Sequence, residues 1–219
     1  MARFINATRR QKRARKIFGG AGAGRSHKLF VAGVKPAACF GCEIDGCSQG
    51  QLRKLRRWSF QFRGLPNSCS SSAAIALFGD PSASPATAPA MKWAKEAWRS
   101  DVDPRALPST RLQDIYCRVS RKWPSRRAQA KGPVSLAFLD LSRLKWSWPT
   151  AFVWEDDLGY SYDLRTTSPA ALQLELAKAA RRQQAAHLAS KRAAMDTIDP
   201  SPILRTMATQ ATTPQERRS

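Results

Sequence analysis

Cys39, Cys42 and Cys47 stand at a C-x2-C-x4-C spacing, which opens like a zinc knuckle. A knuckle then needs a histidine and a fourth cysteine. Here the third position is Cys47 and the fourth is Leu52. Helical spacing sets Cys39 and Cys42 on one face with Ala38, Phe40 and Ile44, so buried free thiols are expected rather than a metal site. Gly20-Ala21-Gly22-Ala23-Gly24-Arg25 imitates a phosphate-binding loop, but a cationic run precedes it where a dinucleotide fold places an apolar strand. Gly24-Arg25-Ser26 also has Arg where a Walker loop has Lys, and the two are not equivalent at a phosphate. His27 and His187 are the two histidines, and neither has a nucleophile or acid at a telling distance. These groups predict no enzyme, no metal and no cofactor.

The remaining chemistry is charge. The chain has 219 residues and a net charge of +21. Residues 1–63 hold fifteen Lys/Arg against two acids, so +13 of the charge lies in the first third of the chain. Such asymmetry predicts nucleic acid or another anionic partner. The plainer reading is a basic fragment whose acidic complement lies elsewhere in a longer protein. No signal peptide or transmembrane segment is expected, and five cysteines, an odd number, predict a reducing compartment. A nuclear or cytoplasmic location follows, with mitochondrial targeting disfavoured because the basic density runs past any cleavage site.

The element that must position this charge is the helix around residues 52–63. Leu52, Leu55, Ser59 and Phe62 recur at three- and four-residue spacing, with Trp58 beside them. Arg53, Lys54, Arg56, Arg57 and Arg63 fill the other positions, and no acid lies between Asp45 and Asp80. One side is built to bury and the other is cationic. A helix is also expected over Ser26–Glu43, kinked or divided at Pro36.

These two segments carry a resemblance. Lys28-Leu29-Phe30-Val31-Ala32-Gly33-Val34-Lys35-Pro36-Ala37-Ala38-Cys39-Phe40-Gly41-Cys42-Glu43, followed by Leu52-Arg53-Lys54-Leu55-Arg56-Arg57, resembles the thumb region after the catalytic palm of LINE-type (non-LTR) retrotransposon reverse transcriptases. Shorter stretches are similar to the post-thumb connector: Gly79-Asp80-Pro81, Lys92 to Trp98, Gly132-Pro133, Leu144 to Pro149, Asp156 to Gly159 and Thr167-Ser168-Pro169. The resemblance spans roughly residues 16–192. It implies a thumb and connector without the palm, holding a template–primer duplex by its phosphates. The residues it assigns to DNA or RNA backbone are Arg53, Lys54, Arg56 and Arg57, with Arg25 and Lys28 next in line; Arg63, on the same cationic helix, completes the expected contact, and the missing polymerase segments are expected partners.

Two stretches imitate the polymerase aspartates that hold divalent metal. Phe138-Leu139-Asp140-Leu141-Ser142-Arg143 resembles the first aspartate strand, and Trp154-Glu155-Asp156-Asp157 the second motif. Asp140 and Asp156 are only sixteen residues apart, too few for the elements the family places between them, and Asp140 sits in a helical pattern. No catalysis is expected from them.

The expected fold is mainly α: a bundle-like helical body with one small β-hairpin near 152–164 and disordered basic N-terminal and polar C-terminal tails. The expected parts are a basic arm and glycine-rich linker (1–24), a thumb-like helical pair (25–64), a helical connector with the hairpin (65–194) and a tail (195–219). Within the connector, amphipathic helices are expected over 91–100, 110–123 and 132–144, and from Ser168-Pro169 onward. Trp146 to Pro149 is read as a turn. Two other functions fit this pattern: a helical protein–protein interaction module, and a decayed retroelement reading frame with no activity.

Overall fold

A computed structural model describes residues 2–18, 23–65, 74–75 and 78–191. The tail expected from residue 195 lies outside the described residues, as does most of the stretch 70–78, whose serines followed by an apolar run read as a short capped helix. The chain is mainly helical with one small antiparallel sheet.

The larger core is built by α7 (Ala88–Arg99), α8 (Ser109–Ser120), α9 (Pro133–Arg143) and α10 (Pro169–Lys191) around the sheet. Ala90, Trp93, Ala94 and Ala97 form one buried stripe on α7, and Ala137 with Leu141 faces it from α9. Alanine on both helices removes the bulk that would hold their axes apart, so α7 and α9 pack closely. Leu172, Leu176 and Ala179 give α10 its inner stripe. Its start is set by Ser168, whose hydroxyl accepts from the Ala171 amide at 3.2 Å, with Pro169 fixing the first turn.

The sheet has order β1-β2-β3: Ser147–Thr150, Val153–Glu155 and Ser161–Asp163. The expected hairpin is β2–β3, with Trp154 opposite Tyr162. The stretch read as a turn, Trp146 to Pro149, instead supplies the edge strand β1. Pro149 hid it, but an edge strand has one unpaired side on which a missing N–H costs nothing. The indoles close this core: Trp93 Nε1 donates to the Ala151 carbonyl at 2.9 Å, and Trp123 stacks on Phe138 with ring centroids 4.1 Å apart.

A second core joins α1 (Ala2–Phe18), α2 (Ala23–Leu29), α3 (Lys35–Cys39), α4 (Cys42–Asp45), α5 (Gln49–Phe62) and α6 (Ala83–Ala86). The helix expected over Ser26–Glu43 is in fact three pieces. Between α2 and α3, Phe30–Val34 is a π-helical turn in which the Lys35 amide reaches back to the Phe30 carbonyl. Pro36 has no amide to offer and its ring crowds the preceding turn, so widening that turn relieves both. The second break is at Gly41, whose φ of 71° is left-handed.

The basic arm, expected to be a disordered tail, is helical over Ala2–Phe18 and docked on the body. Phe4 and Ala7 are buried, and Phe4 meets Trp58 with ring centroids 6.0 Å apart. Arg3 donates to the carbonyls of Phe40 at 3.0 Å and Gly46 at 2.5 Å. Arg127 donates to the Asp45 carbonyl from the other side. Two guanidinium groups thus satisfy the carbonyl end of α4, where the helix dipole favours cations. Gly46 has a φ of 58°, a left-handed conformation that glycine adopts without strain. Among the described residues, no helix is long and apolar enough to cross a membrane.

Candidate nucleic-acid interface

Helix α5 begins with a capping box: the Gln51 amide donates to the Ser48 hydroxyl at 3.3 Å, and the Ser48 amide to Gln51 Oε1 at 2.8 Å. That cap fixes where α5 starts, and its apolar seam decides which side turns inward. Leu52, Leu55, Trp58, Ser59 and Phe62 are buried, and Phe62 packs on Phe30 with ring centroids 5.8 Å apart. At 100° per residue, Arg53 and Arg57 fall on the side opposite this seam, and Lys54 lies on its flank, beside Trp58. All three are exposed, and among the described residues none is in an ion pair.

Arg56 and Arg63 lie on the flank between these sides, and the fold uses them differently. Arg56 grips Asp80 with Nε at 3.0 Å from Oδ1 and Nη2 at 2.6 Å from Oδ2. The Asp80 side chain is only 6% exposed. Burial alone would raise its carboxyl, but the fork and charge of Arg56 outweigh this. With the Ser82 hydroxyl and amide they hold it below its ordinary value. Arg56 is therefore neutralised by the protein's own carboxylate. Arg63 turns to His27, its Nη2 lying 2.9 Å from Nε2, and its guanidinium covers the Phe78 ring at 4.9 Å. Arg25 and Lys28, both exposed, ride on α2, which meets the carboxyl-terminal turn of α5 through this Arg63–His27 contact.

Sequence reasoning named the basic arm but missed its docking on α5, which makes a second cationic surface. Lys54, Trp58 and Gln61 form one i, i+4, i+7 row on α5. Helix α1 lies along that row: Phe4 packs on Trp58, and Gln11 Nε2 is 3.5 Å from Gln61 Oε1. The opposite side of α1 is exposed at Arg9, Arg10, Lys12, Arg13, Arg15 and Lys16. Docking the arm thus sets its cations beside those of α5. The signal was the stripe Phe4, Ala7, Gln11, Ala14, faint because two members are alanine and one is polar.

The aspartates that imitate a polymerase are occupied with structure. Asp156 Oδ1 accepts from the amides of Leu158 and Tyr160 at 2.8 and 2.9 Å, and Oδ2 from the Tyr162 hydroxyl at 3.1 Å. Burial and that bond push the Tyr162 phenol up to about 12. Asp157 is held by Arg182, with Nη2 at 2.5 Å and Nε at 2.9 Å. Asp140 is buried on α9, where desolvation raises it to about 7 against the weaker pull of Arg143 and Arg127.

Cys42 and Cys47 are buried and Cys39 is half-buried. Hydrogen bonds from Cys39 and then Cys47 lower the Cys42 thiol, with Arg3 nearby, while both donors are raised. Among the described residues, no group of three or more His, Cys, Asp or Glu is placed to hold a metal ion. Comparison with known families, curated proteins and solved structures finds no match to the chain.

Proposed function

We propose that the protein is a non-catalytic nucleic-acid-binding protein that grips the sugar-phosphate backbone without reading sequence. The observation that carries this reading is the exposed, unpaired trio Arg53, Lys54 and Arg57 beside the docked basic helix α1. Cations concentrated on rigid helices, with no interleaved acid, gain most from a polyanion that releases its own counterions on contact. Arg25 and Lys28 extend the contact at the far end of α5. Arg56 and Arg63 are left out of it, because Asp80 and His27 engage them.

The resemblance to a reverse-transcriptase thumb supports the same mode, a helical ridge against duplex phosphates, and makes a retroelement origin part of the proposal. The test is binding of a DNA or RNA duplex of arbitrary sequence across a salt series. Steep weakening with salt and indifference to sequence are expected. Retention of affinity when Arg53, Lys54 and Arg57 are all changed to Glu would remove α5 as the contact.

A second reading, a protein-interaction module, is favoured by Phe40 and Ile44, which are 80% and 64% exposed around the α3–α4 turn. Pull-down with and without nuclease separates the two, since only a direct protein contact survives nuclease.

A further inference from the structure

A cavity of about 260 Å³ opens between the π-helical turn, the end of α5, the Phe78–Pro81 turn and α10. Its charged lining is Lys35, Arg63, Arg181 and Asp80. Asp80 cannot balance the three cations, because Oδ1 already accepts from Arg56 and from the Ser82 amide and hydroxyl, and Oδ2 from Arg56. Among the described residues, no carboxylate pairs with Lys35, Arg63 or Arg181.

Arg63 is the sharpest case. It is part-buried, and its polar partner here is an imidazole rather than an acid. Desolvation lowers its pKa, as expected of a cation drawn out of water without a counterion. His27 lines the same cavity. Desolvation, then Arg63 and Lys35, lower its pKa and favour the neutral ring. Arg63 donates to Nε2, so the neutral ring carries its proton on Nδ1, which is buried without a partner. An unbalanced, part-desolvated cation in one wall, with two further cations lining the same cavity and no carboxylate left to pair with them, calls for an anion.

We propose that this cavity binds a phosphate monoester. The forked guanidinium of Arg63 is pre-positioned by the Phe78 ring, and Arg181 and Lys35 stand in the other walls to share a dianion. The volume exceeds what one phosphate fills, and Phe30, Val31, Phe78 and Pro81 give the remainder an apolar lining for the organic part of the ester. The site is separate from the α5–α1 surface and does not rest on the backbone-binding reading.

The test is calorimetric titration of the full chain with inorganic phosphate and with a nucleoside 5′-monophosphate, at constant ionic strength. One saturable site is expected, tighter for the ester. Arg63→Gln and Arg181→Gln each weaken it roughly tenfold or more, as loss of a charge-assisted contact does. Lys95→Gln, an exposed cation that does not line the cavity, leaves it unchanged. Arg181 is exposed, so its variant carries the test should Arg63→Gln fail to fold. Two oligonucleotides of one sequence, with a 5′-phosphate or a 5′-hydroxyl, then separate the sources. Preference for the phosphorylated end assigns the pocket to strand termini, and equal affinity assigns it to a free phosphate ester. Absence of saturation by either small probe overturns the proposal, and so does an equal loss in Lys95→Gln.

Discussion

Arg56 and Asp80, twenty-four residues apart, form a forked ion pair whose shorter bond is 2.6 Å, and this pair fastens the basic helix to the turn before α6. Its two side chains are 19% and 6% exposed, so removing one leaves a poorly hydrated charge on the other. Arg56→Gln should lower stability by about 3 kcal/mol. It should leave duplex affinity unchanged, which distinguishes it from its neighbour Arg57. The pH dependence has a definite sign. The folded Asp80 carboxyl lies below its ordinary 3.8, so its contribution is complete above 3.8 and is lost as pH falls through the folded value. Urea unfolding from pH 2 to 7 should show this acid limb in the native chain and not in Arg56→Gln. A variant as stable as the parent, or one that loses duplex affinity, contradicts the assignment.

Arg53, Lys54 and Arg57 carry the opposite expectation. They are exposed and unpaired, so changing all three to Gln should leave the melting temperature within a degree or two, as surface substitutions usually do. Duplex affinity should fall and lose part of its salt dependence. Three fewer phosphate contacts make the slope of log K against log salt shallower by about 2 to 3. Filter binding over a salt series measures that slope directly, and an unchanged slope would place the contact elsewhere.

Arg56 and Arg57 also mark what one chain of letters reveals. The alternation of buried and basic positions on α5 was legible, as were the stripes of α7, α9 and α10, because each follows from local spacing. Which of two adjacent arginines is free was not legible: a step of 100° turns one to Asp80 and leaves the other in water. The β2–β3 hairpin was readable from its polar turn, whereas β1 was masked by Pro149, whose tolerance depends on lying at the sheet edge. The docking of α1 was not legible either, because Phe4 meets Trp58 and Arg3 meets the carbonyls of Phe40 and Gly46, partners far away in sequence.

Asp140 predicts an alkaline penalty. Burial raises its carboxyl from 3.8 to about 7, and Arg143, 3.3 Å away and a third exposed, does not offset the desolvation. The folded state therefore holds this proton more tightly than the unfolded chain. Stability is complete below 3.8, declines as pH rises to about 7 and is level above it. Asp140→Asn keeps the shape and an acceptor for Arg143 but has no charge to bury. It should be more stable than the parent at pH 8, on the order of 3 kcal/mol, and indistinguishable from it at pH 3. Parallel thermal melts at the two pH values decide it. A variant that is destabilised at pH 8 would mean the ionised carboxylate is favourably held.

Phe4 is the principal apolar anchor of α1, and through it the charge of the first helix is committed to a place. Ile5 and Ile17 are 54% and 71% exposed, Ala7 contributes little area, and the rest of the buried edge is Gln11. The Arg3 bonds to Phe40 and Gly46 fix only the first turn. Phe4→Ala removes the ring that packs on Trp58 and should cost roughly 3 kcal/mol. A helix this polar cannot hold itself to the body without that contact, so the loss should fall on α1 first. Amides of residues 5–16 should exchange with deuterium much faster, while those of α7 and α9 keep their protection. Duplex affinity should drop although no cation has been removed, because cations on a loosened arm must be ordered again when they bind. Unchanged exchange in residues 5–16 would show that α1 is held by something other than Phe4. Faster exchange with full affinity would show that the α1 cations act without being positioned.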